Sequence, residues 1–183
     1  MEQEEFMATH VINGVTLVLL RGNIVEVQAD AIINAANSEL AGGGGVDGAI
    51  HRAGGPSIMA ECDTLGGCPT GSAVATTAGR LKAQYVFHAV GPIYYGRAED
   101  ARLLAGAYQA CLALADAHAL KSIAFPSIST GVYGYPVEEA APIALKTIIE
   151  HSTRPTSLRQ VQFVLFSAAI YAAYKGALAQ LVS

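Results

Sequence analysis

An asparagine, four consecutive glycines and an aspartate follow one another in a single short stretch: Asn37, then Gly42, Gly43, Gly44 and Gly45, then Asp47. Each type brings a different capacity. Asn37 offers a donor and an acceptor together, which suits ligand hydroxyls, and Asp47 can accept a proton from water or from a hydroxyl. Glycines can adopt positive φ and, lacking Cβ atoms, let backbone N–H groups come close to a ligand. A helix beginning at Val46 adds the partial positive charge of its N-terminus, so the stretch has the makings of a pyrophosphate cradle. It is neither a P-loop, since GxxxxGKS/T is absent, nor a dinucleotide fingerprint with spaced GxGxxG. Plainer roles are open to the same residues: a surface turn for the glycines, a turn cap for Asn37, a helix-dipole partner for Asp47. His51, one helical turn after Asp47, can pair with it.

A second stretch repeats the layout. The residues from Phe125 to Pro136, FPSISTGVYGYP, read as a buried strand, a loop of small residues and a helix start. Ligands of open α/β sheets bind outside the carboxyl ends of such strands, so two loops of this kind can clamp one phosphate pair. Ser129, Thr130, Gly131 and Val132 form the second loop with Tyr133, an aromatic that projects from it. Phe166 closes the last apolar strand and either stacks on a base or fills the core.

The elements that must position these groups follow from local signals. Asn13-Gly14 between β-branched runs predicts a hairpin with strands at about 9–12 and 15–20. A short buried strand at 31–34 leads into the glycine loop, and VDGAIHRAG and PSIMAECDTL have helical patterns, the second with Pro56 in its first turn. SAVATTAG and QYVFHAVG read as strands, 98–118 as a long Ala/Leu helix, SIAFPS as a strand, 136–150 as a helix, QVQFVLF as a strand and 168–181 as a closing helix. Pro142, inside 136–150, removes a backbone donor and is expected to kink that helix. Strands alternating with helices imply an α/β protein, a three-layer sandwich with parallel pairing.

The chain has 183 residues, 52% hydrophobic and 14% charged, which suits one domain over 1–183 with 1–8 as a flexible N-terminal extension. Its formal charge is −4, from 11 Lys and Arg against 15 Asp and Glu, with no basic run, so a dedicated nucleic-acid binder is not expected. The three cysteines form no CxxC pair and no metal-ligand spacing, which points to reduced thiols and no bound metal. The N-terminus is acidic where a signal peptide is basic, and no apolar run reaches the roughly 18 residues of a membrane span, so a soluble, cytoplasmic chain is expected.

Five motifs together carry a resemblance: NAAN ending at Asn37, GGGGVDGAIHRAGG ending at Gly55, CPTGSA, VFHAVGP ending at Pro92 and PSISTGVYGYP ending at Pro136. They are similar, in sequence and in spacing, to MacroD-type macrodomains of the bacterial O-acetyl-ADP-ribose deacetylase kind, from about residue 15 to the end. The resemblance implies a three-layer α/β/α macrodomain with a mixed, largely parallel sheet. It also implies a ligand, ADP-ribose or O-acetyl-ADP-ribose, and a metal-independent, cofactor-free hydrolase. Such a hydrolase deacetylates O-acetyl-ADP-ribose or removes mono-ADP-ribose from acidic side chains, which makes mono-ADP-ribosylated proteins partners. Carried over by position, Asn37 resembles the distal-ribose asparagine and Asp47 the catalytic aspartate near which water is activated. Gly42, Gly43, Gly44, Gly45 and Val46 resemble the first diphosphate loop, and Ser129, Thr130, Gly131, Val132 and Tyr133 the second, with Ala36 a further ligand-binding position. Asn23, Ile24 and Phe166 fall on the adenine side. Two positions depart from the pattern. Asn23 stands in Gly-Asn-Ile where the family usually has Gly-Asp-Ile, and Ser167 replaces the acidic residue after the aromatic. The alternative is a reader module that binds ADP-ribose without turnover; the pairing of Asn37 with Asp47, which simple binding does not require, favours hydrolysis. The shortage of basic residues fits either, because backbone N–H groups and a helix N-terminus can hold a pyrophosphate without Lys or Arg.

Overall fold

Asn13 and Gly14 turn the chain as their types predict: both hold positive φ, 51° and 83°, and join β1 (Met7–Ile12) to β2 (Val15–Arg21) as an antiparallel hairpin. The structure, a computed structural model, describes residues 6–183. Strand β1 starts at Met7, earlier than expected, and the Phe6 carbonyl accepts from Arg21 N at 2.9 Å, so 6–8 are tied to the sheet and not part of a flexible extension; the rest of that expected extension, 1–5, lies outside the described residues.

A single 3-10 turn (Ile24–Glu26) precedes β3 (Ala31–Ala35), α1 (Gly45–Gly54) and α2 (Pro56–Leu65). Then come β4 (Ala73–Thr77), β5 (Tyr85–Ala89), α3 (Ala98–Ala117), β6 (Ser122–Phe125), α4 (Val137–Ser152), β7 (Gln160–Leu165) and α5 (Ala168–Val182). The strands form one sheet in the order β1-β2-β7-β6-β3-β5-β4. The five inner strands run parallel, and each edge strand is antiparallel to its neighbour, so parallel pairing does not extend to β4. The β4–β5 link, 78–84, is too short for the crossover that parallel pairing needs, and the pair closes as a hairpin instead.

Alternation along the strands sorts two cores. Leu17, Leu19, Ile33, Phe87, Phe125 and Phe163 face α3, α4 and α5, where Leu104, Tyr108, Leu145 and Tyr174 meet them. Ile32, Val86, Ala124 and Val164 face the other way, onto Ile50 of α1 and Ile58 of α2. The result is the expected three-layer α/β/α sandwich. Helix α4 continues through Pro142 without ending there; the carbonyl freed four residues back belongs to Glu138, in the exposed first turn, where water can take the missing hydrogen bond. No helix among the described residues is long and apolar enough to cross a membrane.

Strands β3 and β6 are neighbours, yet β3 leads to α1 on one face and β6 to α4 on the other. The chain parts at their carboxyl ends, which opens a crevice between the two following loops.

Candidate functional site

The loop after β3 is closed by Asn37. Its Nδ2 donates to the Gly42 carbonyl at 2.9 Å and its Oδ1 accepts from Ala41 N at 3.0 Å. Gly42 and Gly45 take φ of 79° and 57°, the left-handed region that glycine tolerates. Gly44 caps α1 with no side chain, and the N–H groups of Gly42, Gly43 and Gly44 find no acceptor among the described residues. Together with the unpaired first turn of α1 they form a ring of free donors at a positive helix end.

Asp47, in that first turn, is 6% exposed. Its Oδ1 accepts from Asn34 Nδ2 at 2.8 Å and lies 3.2 Å from His51 Nε2. Its Oδ2 is left on the loop side, where a Cβ on Gly43 would stand 3.5 Å from it. One oxygen is anchored and the other faces the glycines.

Behind Asp47 runs a buried polar chain. Asn34 Nδ2 also meets His88 Nδ1 at 3.1 Å, and His88 Nε2 meets Thr76 Oγ1 at 2.9 Å. Burial, with His51 alongside, pushes the His88 imidazole down to about 4, so it is neutral near neutral pH. Burial, reinforced by Asp47, pushes the Cys62 thiol up to about 11, and Cys62, Cys68 and Cys111 are all free and buried, as expected of reduced thiols. His51, Cys62 and His88 bring three donor atoms within 4.8 Å of one another, the one potential metal-holding group among the described residues. Both His88 nitrogens already have hydrogen-bond partners, Asn34 at Nδ1 and Thr76 at Nε2, so a metal ligated by His88 would displace one of them.

The loop after β6 rests on two buried tyrosines. Ile128 N donates to Tyr108 Oη at 3.1 Å, and the Tyr174 hydroxyl donates to Ser127 Oγ at 3.0 Å. Ser129 is buried with φ of 66°, and its carbonyl takes Tyr135 N at 2.9 Å. Gly91, on the next loop, lies so close that a Cβ there would collide with Ser129 Oγ. The N–H groups of Ser129, Thr130, Gly131, Val132 and Tyr133 have no acceptor among the described residues. Val132 is fully exposed, and Tyr133, half-buried, lines a cavity of about 260 Å³ with Ser38, Tyr95 and Arg97.

The remaining expected residues lie at the carboxyl ends of β2, β3 and β7. Ala36 and Ile24 are buried in one core with Ile50, beneath the loop and not on it; Val46 is half-buried against the same core. Asn23 Oδ1 accepts from Val25 N at 3.2 Å and caps the 3-10 turn, while Ser167 Oγ accepts from Ile170 N at 3.2 Å and caps α5. Phe166 is 70% exposed, which settles its two readings against core filling. Asn34, Thr76 and His88 were not among the expected site residues. Their signal is a polar side chain within an otherwise apolar strand, which is informative because such groups are buried only with partners.

A Macro domain family model matches residues 33–144. A macro domain-containing protein of Caldanaerobacter subterraneus subsp. tengcongensis is 55% identical over 168 residues, covering 89% of this chain and 95% of its own. O-acetyl-ADP-ribose deacetylase 1 of Pantoea vagans is 51% identical over 163 residues, covering 86% and 95%. The solved structure of the Oceanobacillus iheyensis macrodomain with ADP superposes with a TM-score of 0.91 at 42% identity, covering 96% of each chain.

Proposed function

The chain belongs to the macro domain family, and on that premise we propose that it binds ADP-ribose and hydrolyses its esters: O-acetyl-ADP-ribose, or mono-ADP-ribose linked to acidic side chains of proteins. The name of the Pantoea vagans relative and the ADP in the Oceanobacillus iheyensis structure support the ligand class. The observation that carries the hydrolytic half is the posture of Asp47, with Oδ1 held by Asn34 and 3.2 Å from His51 Nε2, and Oδ2 turned to the glycine loop.

In this reading the unpaired N–H groups of 42–44 and 129–133 hold the diphosphate, Phe166 stacks on adenine beside Asn23, and the distal ribose rests against Asn37. Water approaches Asp47 Oδ2 and adds to the ester carbonyl carbon as Oδ2 takes its proton. The ribose oxygen then leaves, recovering that proton, to give ADP-ribose and the free acid. Loop N–H groups offset the charge that develops on the carbonyl oxygen. Asp47 is the buried carboxylate beside the glycine run, whereas Glu39 on the same loop is exposed, and the step as drawn uses no metal.

The test is a calorimetric titration with ADP-ribose followed by product assays on O-acetyl-ADP-ribose and on a mono-ADP-ribosylated carboxylate, with and without a chelator. Binding with chelator-insensitive turnover supports the reading. Binding with no turnover makes the protein a reader of ADP-ribose, and no binding removes the ligand assignment.

A further inference from the structure

We propose that His88, which touches neither the loop nor the cleft, is a positioning residue for Asp47: it selects the one orientation of the Asn34 amide that donates to the carboxylate. The consequence for catalysis rests on the hydrolase reading above; the geometry stands on hydrogen-bond polarity alone.

That polarity is set from the far end of the chain. The Thr77 backbone carbonyl can only accept, and the Thr76 hydroxyl donates to it at 2.9 Å. The Thr76 oxygen is thereby left as an acceptor, so His88 Nε2, 2.9 Å away, is the donor. A neutral imidazole with its proton on Nε2 presents a bare lone pair at Nδ1. Asn34, the cross-strand partner of His88 in the β3–β5 pair, gives one amide hydrogen to that lone pair and the other to Asp47 Oδ1. From Asn34 the donors therefore run both ways, through His88 and Thr76 to the edge strand and directly to Asp47 on α1, which only accepts.

Two further observations agree. Asn34 is fully buried, and its Oδ1 has no hydrogen-bond partner among the described residues. An amide without constraint would turn to satisfy that oxygen. Turned over here, the oxygen would face a carboxylate and an imidazole lone pair, so the orphaned oxygen marks the orientation the surroundings impose. The groups packed on His88 are also ones that keep it neutral. They are Asn34 from β3, Thr76 from β4, the His51 ring 6.1 Å away on α1, and the Cys62 thiol 3.7 Å away on α2, which burial holds protonated. Released from Asn34, Asp47 would lose the side-chain hydrogen bond that holds Oδ1 and so keeps Oδ2 on the loop side.

Two substitutions separate positioning from mere filling. Asparagine at this site keeps an acceptor close to the Nδ1 position, whereas glutamine is nearer in volume but reaches the Nε2 position. With O-acetyl-ADP-ribose as substrate, His88→Asn is expected to keep kcat within about threefold of wild type and His88→Gln to lose about tenfold or more, both with unchanged ADP-ribose affinity. Nitrogen-15 NMR of the wild-type chain should show the Nε2–H tautomer of His88. Thr76→Val, which keeps the shape of the side chain and removes the acceptor, should release that tautomer and lower kcat, and it serves if either His88 variant fails to fold. Equal kcat for the two His88 variants, a better glutamine than asparagine, or a wild-type Nδ1–H tautomer overturns the inference. A wild-type chain that binds ADP-ribose and turns nothing over overturns the hydrolase reading instead, and the role of His88 in the reaction falls with it.

Discussion

Asn37 donates its side-chain amide to the carbonyl of Gly42 at 2.9 Å, so the residue assigned to the distal ribose also holds the glycine loop shut. A carboxylate in its place cannot donate to that carbonyl and would add negative charge beside a diphosphate. Asn37→Asp is therefore expected to weaken ADP-ribose binding by about tenfold or more, and further than Asn37→Ala, when both are titrated by calorimetry. Equal affinities for the two variants would count against a shared role for the amide.

The glycines divide into those the fold needs and those the ligand needs. A Cβ on Gly44 meets nothing within 4 Å, and its φ of −91° suits any residue. A Cβ on Gly48 would stand 2.6 Å from the Gly43 carbonyl oxygen. Gly44→Val should melt with the wild type yet lose about tenfold or more in ADP-ribose affinity, whereas Gly48→Ala should lower Tm itself. Thermal melts beside calorimetry distinguish the two.

Neither the loop at 36–46 nor that at 129–133 contains Lys or Arg. Affinity for ADP-ribose supplied by backbone N–H groups should change by no more than about twofold between roughly 0.05 and 0.3 M salt. A loss of about tenfold over that range would show that side-chain cations carry the binding.

Much of this architecture was legible because its rules are local. Asn13-Gly14 makes its hairpin, Pro56 opens α2, and the glycine run precedes a helix start, each decided within a few residues. The chain Thr76–His88–Asn34–Asp47 was not legible, since it forms only when β5 lies between β4 and β3 in register, and register is set by the whole sheet. The antiparallel β4 turned on the length of one connection, and β1 gained residues because the sheet edge extended the hairpin past its apolar core. Asn23 and Ser167, the two departures from the family pattern, prove to be caps of the elements they precede, a role that any short polar side chain can fill.

Stability should fall on the acid side. Unfolded His88 takes up a proton near pH 6.5, whereas folded His88 resists until about 4. Stability present above pH 6.5 is therefore lost as pH falls toward 4, by about 3 kcal/mol from this residue alone. Asp116 acts in the same direction: burial pushes it up, but hydrogen bonds from Thr156, Ser157 and His151 outweigh this and hold it below the usual range, so its contribution is lost as pH falls through that depressed value. Urea unfolding at pH 7 and pH 5 should show the lower midpoint at pH 5, and in His88→Asn the difference should shrink.

In the proposed mechanism Asp47 acts on water rather than on binding. Hydrolysis of O-acetyl-ADP-ribose by wild type and Asp47→Ala, each with its ADP-ribose affinity measured in parallel, tests it most directly. Turnover by Asp47→Ala is expected to be lower by about a hundredfold or more with affinity held within about threefold. Full turnover by Asp47→Ala at unchanged affinity would contradict it.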